Sequence, residues 1–203
     1  MWEAGKVGYK PHACVTSIHA ALDALSHLMK THGVEPDDIT RIEVGLSPMT
    51  YTHCAWEYKA QGVTAAQMNL YYGLAVMAYD GMAFVAQYSE DRLAEPRVMD
   101  FIQRIEARVD PEIEAMGPPF RHAARMRLTL RDGRQLSHEI LHRRGSPENP
   151  LSAADVEYKF RHVVATCLRA TDIDRVVSLV ARLEQLDDLH ELMALVAAPR
   201  ART

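Results

Sequence analysis

The stretch AARMRLTLRDGRQLSHEILH, residues 123–142, decides the fold of this chain. From Met126 to Leu130 apolar residues alternate with arginine or threonine, which is the period of a strand with one buried face. Asp132–Gly133 follows, a dipeptide typical of a two-residue hairpin turn, and the alternation resumes at Leu136. Residues 123–142 are therefore predicted to form a β-hairpin.

Two further strands are predicted upstream of the hairpin. The stretch from Ile39 to Leu46 alternates apolar residues with polar residues or glycine, and Pro48 ends it. Ile105, Ala107 and Val109 show the same alternation. Together with the hairpin they predict roughly four strands, mostly antiparallel.

Most of the other apolar residues recur at helical spacing. One stripe runs from Val15 to Met29, and Gly33 supplies a stop signal just beyond it. Residues 48–63 have no steady period and are predicted to form a long irregular connection. The predicted helices span residues 15–32, 64–82, 96–104, 152–168, 172–184 and 187–196.

These elements predict an α+β fold. Residues 1–150 are expected to form a small, mostly antiparallel sheet covered by helices on one face, which is a two-layer sandwich, and residues 151–203 a helical tail. Exposed apolar stripes mark partner surfaces, so we expect a homo-oligomer or a complex with another chain. The stripe predicted for the tail consists of Val176, Val177, Val180, Leu183, Leu189 and Leu192.

Composition excludes several classes of protein. The formal charge of −4 over 203 residues leaves no basic face for nucleic acid and no polybasic membrane patch, so neither partner is expected. Three cysteines without a C-x-x-C pair argue against a disulfide framework and favour the cytoplasm. The histidines lack metal-ligand spacing, and no glycine-rich phosphate loop occurs, so no metal and no cofactor is predicted.

Four stretches, in order along the chain, resemble the second domain of the MmgE/PrpD family. The first is KPHAC, which begins at Lys10 and leads into the helix HAALDALSHL. The second is the helix that ends with Tyr79, Asp80 and Gly81, and the third is the hairpin LRDGR. The fourth, RGSPENPLSAADVEYKF at residues 144–160, is the most specific. The family includes 2-methylcitrate dehydratase, cis-aconitate decarboxylase and iminodisuccinate epimerase.

The resemblance implies an enzyme built from two domains. In the family an all-helical N-terminal domain and an α+β lid form the active site in the cleft between them. This chain resembles the lid with its trailing helices, and its start at Met1 is expected to leave the helical domain out. The implied partner is a helical subunit of the N-terminal type, and the implied ligand is a small carboxylate. The alternative is a non-catalytic module that binds a small acid or another protein.

Three residues are the candidate catalytic groups. The resemblance implies that Lys10 lies at the substrate carboxylates, and that Tyr72 matches the tyrosine of the pattern A-x-x-S-x-x-Y, which reaches the active site. The two are expected to open onto one concave surface. For Tyr72 a core tyrosine with a satisfied hydroxyl remains an equal alternative. His19 and Asp23 form an i, i+4 pair that could be a base and its orienting carboxylate or a packing device.

One departure from the family concerns the reaction. In cis-aconitate decarboxylases an active-site histidine follows the lysine by five residues, whereas this chain has Val15 there. Histidine is the usual proton carrier near neutral pH. The substitution counts against decarboxylation of cis-aconitate and favours dehydration, isomerisation or epimerisation.

Overall fold

The computed structural model describes residues 2–197, except the side chains of residues 4 and 5. The chain divides into two compact units, with the boundary between Leu151 and Ser152. The last part of the predicted tail, residues 198–203, lies outside the described residues.

The first unit contains a four-stranded sheet. Its strands are β1 (Ile39–Leu46), β2 (Ile105–Val109), β3 (Ala124–Leu130) and β4 (Gln135–Ile140), in the order β2-β1-β3-β4. The predicted hairpin is β3 and β4, and β1 pairs antiparallel with β3. Only β2 runs parallel to its neighbour, β1, within the described sheet. The predicted α+β fold with a mostly antiparallel sheet is therefore confirmed.

Helix α1 (His19–His32) packs on the inner face of this sheet, chiefly on β3 and β4. It follows a short 3-10 turn, and it ends at Gly33, whose positive φ of 60° suits a left-handed cap. Its own residues Leu22, Leu25 and Leu28 are buried and belong to the same core as the inward side chains of the strands. The outward side chains are polar, for example Glu43 and Arg127, which explains why helices cover one face only.

Residues 48–63, predicted to be irregular, begin with a helix instead. Helix α2 spans Pro48–Cys54, and the hydroxyl of Ser47 caps it by accepting a bond of 3.2 Å from the amide of Thr50. Pro48 was interpreted as the end of a strand, but it is also favoured in the first turn of a helix, where no amide hydrogen is needed. The prediction was wrong because two turns are too short to show a period.

The predicted helix over residues 64–82 is two helices, α3 (Val63–Met68) and α4 (Leu70–Asp80). Asn69 separates them: its backbone is extended, and its side chain accepts a bond of 3.1 Å from the amide of Tyr72. Asparagine commonly competes with the helical backbone in this way and acts as a cap. Two shorter helices follow, α5 (Pro96–Ile102) and α6 (Pro111–Ala115), and the sequence predicted the first of them.

In its described residues, 152–197, the second unit contains the α-helices α7 (Ala153–Val164), α8 (Ala170–Val180) and α9 (His190–Val196). Ser152 and Asp155 form the capping box at the start of α7. The expected apolar stripe is only partly exposed, since Val176 is buried. The large apolar side chains exposed in this unit include Val180, Leu183, Leu189, Met193 and Val196. In the described part of the chain no helix combines the length and apolar character needed to cross a membrane.

Candidate active site

The loop from Lys10 to Cys14 precedes α1, and a hydrogen bond joins its first residue to its last. The exposed side chain of Lys10 donates from Nζ to the carbonyl oxygen of Cys14 over 3.3 Å. The Nε2 atom of His19 lies 3.4 Å from the same oxygen. Two of the three predicted site residues therefore meet at one backbone carbonyl.

The same loop is fixed to the helices beside it by backbone bonds. The amide of Ala13 donates to the carbonyl of Ala83 over 2.8 Å, and the amide of Val15 donates to Gln67 over 2.9 Å. The Gln67 side chain returns a bond of 2.8 Å to the carbonyl of Ala13. Because the loop is anchored at both neighbours of Cys14, the position of the lysine is preorganised.

His12 and Asp23 form a pair that the sequence did not predict. The Nε2 atom of His12 donates to Oδ1 of Asp23 over 3.1 Å, and both side chains are at least 90% buried. The amide of Arg144 donates to the other carboxylate oxygen over 3.3 Å. The expected pairing of Asp23 with His19 was wrong, because Asp23 instead joins the lysine loop to the segment after β4.

His19 lies wholly inside the first unit. Burial, and then the charge of His12, lower its pKa to about 2, so the ring is neutral in the folded chain. Since a carbonyl can only accept, Nε2 carries the hydrogen that Cys14 receives. The buried Nδ1 atom then has a free lone pair and no partner among the described residues. A catalytic role for His19 stays a prediction.

Tyr72 has the contacts of a core tyrosine. It is fully buried, and its hydroxyl donates to the carbonyl of Gln87 over 2.6 Å. The rings of Tyr58 and Tyr88 lie 4.9 Å and 5.6 Å from it, and burial raises its pKa to about 12. Tyr72 therefore does not open with Lys10 onto one concave surface in this chain. These surroundings match the alternative prediction for Tyr72, a core tyrosine whose hydroxyl is satisfied.

The segment after β4 clamps the backbone just before Lys10. The amide of Tyr9 donates to the carbonyl of Gly145 over 2.7 Å, and Gly145 donates in turn to Asn149 over 2.7 Å. Gly145 has a φ of +84°, and a Cβ atom there would overlap the carbonyl oxygen of Tyr9. The motif RGSPENP thus needs its glycine both for the backbone angle and for this close approach.

Both arginines and acids lie at the clamp, the segment 143–149 that binds the backbone of Tyr9. Arg143 lies on the backbone of Tyr9, and Arg144 contacts Asp23. Burial, then the charges of Arg121 and Arg143, lower the pKa of His122 to about 4. An anionic ligand near the lysine loop would find the guanidinium of Arg143, which contacts the residue before Lys10.

A concave surface of about 480 Å³ lies on the outer face of the sheet. Arg125, one of its lining residues, forms ion pairs with Asp110, Glu112 and Glu139, so the charge of this arginine is already compensated. Nor do the described residues contain a group of three or more His, Cys, Asp or Glu side chains that could hold a metal ion. The lysine loop remains the best candidate for the site.

Fold and site together define an α+β domain that presents a preorganised lysine ahead of its first helix. Residues 12–185 match the family profile described as the MmgE/PrpD C-terminal domain. The chain therefore belongs to the MmgE/PrpD family, as the four stretches of sequence predicted.

Its similar proteins include several cis-aconitate decarboxylases. The enzyme of Aspergillus terreus is 25% identical, and the match covers 98% of this chain and 42% of that protein. The cis-aconitate decarboxylase-like protein oryM of Aspergillus oryzae is 26% identical, with 97% and 42% covered. The human cis-aconitate decarboxylase is 25% identical, with 95% and 40% covered. The chain spans about two fifths of the length of these relatives.

Proposed function

We propose that this chain is the C-terminal part of an MmgE/PrpD-type enzyme that acts on a small polycarboxylate. The observation that carries the proposal is the exposed ammonium of Lys10, which donates to the Cys14 carbonyl on a loop whose backbone the clamp fixes. A fixed ammonium of this kind binds a carboxylate through charge-assisted hydrogen bonds. The names of the relatives support a polycarboxylate as the substrate class.

The proposed chemistry is the removal or transfer of a proton next to a carboxylate. Dehydration, isomerisation and epimerisation all begin with such a step. Val15, which stands where the family's decarboxylases have histidine, favours these reactions over decarboxylation. The buried His19 and Tyr72 offer no exposed base in this chain, so the base is proposed to come from a helical domain of the N-terminal type.

A second candidate function is binding without catalysis. The burial of His19 and Tyr72 favours it, because among the three predicted site residues only Lys10 is exposed. In that case the chain would be a small-acid-binding or protein-interaction module with the family's lid fold. The exposed apolar side chains of α9, among them Met193, support association with another chain under either function.

An NMR titration of the chain with citrate and cis-aconitate tests the shared part of both functions. We expect shifts at the amides of residues 8–14, and roughly tenfold weaker binding for Lys10→Ala, since a charge-assisted bond contributes about 1.5–3 kcal/mol. Lys30→Ala is the matched control, because Lys30 is an exposed lysine at the other end of α1. Equal losses for both variants would refute the carboxylate site.

Proton chemistry separates the two functions. The chain purified from its own cells, with any subunit it retains, is incubated with citrate, cis-aconitate or 2-methylcitrate in D2O. The enzyme predicts deuterium at the carbon next to a carboxylate, and Lys10→Ala removes that exchange. Binding without any exchange in the retained complex supports the module.

A further inference from the structure

We propose that Arg143 is a second anion-binding residue, so that the site takes a ligand with two carboxylates, one on Lys10 and one on Arg143. This inference rests on the proposed carboxylate site and names what selects its ligand. It assigns a specificity-determining role to a side chain that sequence patterns did not single out.

The guanidinium of Arg143 lies against the backbone that leads to the lysine. Its Nη1 atom is 3.5 Å from the carbonyl oxygen of Tyr9, which belongs to the peptide bond preceding Lys10. A Cβ atom built on Gly8 would stand 3.0 Å from Nη2, so the missing side chain of this glycine makes room for the arginine. The two cations thus belong to two segments that contact each other, the loop before α1 and the segment after β4.

Arg143 is a partly buried cation with most of its donors unused. No carboxylate of the described residues lies within ion-pair distance of it, and its single hydrogen bond, to Tyr9, is long. Burial lowers its pKa, while Glu148 and Asp23 act in the opposite direction without contacting it. A guanidinium has five donors, and one withdrawn from water gains most from a carboxylate held by two parallel bonds.

The neighbouring Arg144 provides an internal contrast. Its amide and its Nε atom both turn to Asp23, at 3.3 Å and 3.9 Å, so its charge faces an acid of the chain itself. Two consecutive arginines therefore have different surroundings. Only the first contacts the residue that precedes Lys10 and has no acid of the described residues within ion-pair distance.

This arrangement predicts which ligands are favoured. A ligand with a single carboxylate can use one cation at a time, whereas a dicarboxylate or tricarboxylate can use Lys10 and Arg143 together. The planar fork of arginine fits a carboxylate edge better than the point charge of lysine does. Discrimination by the number of carboxylates should therefore depend on Arg143.

The test compares tricarballylate, which has three carboxylates, with propionate, which has one, by NMR titration of the full chain. We expect Arg143→Gln to weaken tricarballylate binding about tenfold and to leave propionate binding within twofold, as loss of one charge-assisted contact predicts. Lys10→Ala is expected to weaken both. Arg134→Gln, which removes an exposed arginine at the hairpin turn, is the matched control and should change neither.

The outcomes distinguish a failure of the Arg143 inference from a failure of the proposed carboxylate site. If Arg143→Gln changes both ligands by the same factor, or neither, while Lys10→Ala still weakens both, the inference is wrong and the carboxylate site stands. If the unmodified chain binds neither ligand, both are wrong. Arg143→Lys is a conservative variant that keeps the charge and so controls for misfolding. Its affinity for tricarballylate should fall about threefold, while its affinity for propionate should not change. An unchanged affinity for tricarballylate would contradict the forked contact.

Discussion

The carbonyl oxygen of Tyr9 occupies the space that a side chain on residue 145 would need, and the amide of Tyr9 donates to the carbonyl of Gly145. The two residues are 136 positions apart in the chain and touch through backbone atoms alone. Because Tyr9 precedes Lys10, this contact sets the point from which the lysine side chain emerges.

Replacing this glycine should therefore cost more than its backbone angle alone. For Gly145→Ala we expect a loss of more than about 3 kcal/mol in the free energy of unfolding, from a left-handed angle and a steric overlap together. Gly133→Ala is the control, since Gly133 has a similar φ of +87° with nothing within 4 Å of a built Cβ atom. It should lose about 1 kcal/mol. Urea denaturation measures both, and equal losses would contradict the close approach.

The pair of His12 and Asp23 should behave as one unit. Each single replacement by alanine leaves a buried polar partner unsatisfied, so we expect losses of about 2–4 kcal/mol for each. The double variant should lose less than the sum, with a coupling energy of about 1–3 kcal/mol in a double-mutant cycle. The exposed pair of Arg134 and Asp132 should give a coupling below about 0.5 kcal/mol. Strict additivity for His12 and Asp23 would show that the bond does not contribute.

The buried hydroxyl of Tyr72 provides a test of its core role. Tyr72→Phe leaves the Gln87 carbonyl without its donor, and we expect a loss of about 1–2 kcal/mol in thermal or urea unfolding. Tyr71→Phe on the same helix is the control, because that residue is half-buried and its bond to Ala55 is longer, at 3.3 Å. It should lose under about 1 kcal/mol. A larger effect at Tyr71 than at Tyr72 would overturn the assignment.

Acid should destabilise the chain through His19. Its pKa is about 2 in the folded chain and 6.5 as a free side chain. Below pH 6.5 the unfolded state therefore binds a proton at His19, whereas the folded state does not. Stability is then lost as the pH falls from 6.5 toward 2, by up to roughly 1.4 kcal/mol for each pH unit, and it is independent of this group above pH 6.5. In urea titrations at several pH values, His19→Asn should show a shallower decline than the unmodified chain. Parallel declines would contradict the buried neutral ring.

The fold was largely predictable because its decisive signals are local. Alternation over five to eight residues, the Asp132–Gly133 turn and Gly33 after a helical stripe each act within a few positions of the chain. The break at Asn69 was not predictable in this way. Its side-chain amide also donates to the carbonyl of Trp56 over 2.7 Å, thirteen residues away, and that partner comes from tertiary structure.

The candidate site was less predictable, because its contacts join distant segments. Spacing alone favoured His19 with Asp23, since residues four apart share a helix face. The ring of His19 turns instead to the carbonyl of Cys14, and Asp23 receives His12 from a loop with no period. Lys10 was found only through the resemblance to a family, and its clamp through the structure.

The order of the strands has a consequence for synthesis on the ribosome. The hairpin of β3 and β4 closes over a few residues, but the central strand β1 finds its partners in β2 and β3, which follow about 60 and 80 residues later. At a translation rate of roughly 5–20 residues per second, β3 is synthesised on the order of ten seconds after β1. Until then the inward side chains of β1, which are Ile42, Val44 and Leu46, lack this antiparallel partner strand. A nascent chain in which translation between β1 and β3 is slowed should therefore depend more strongly on chaperones.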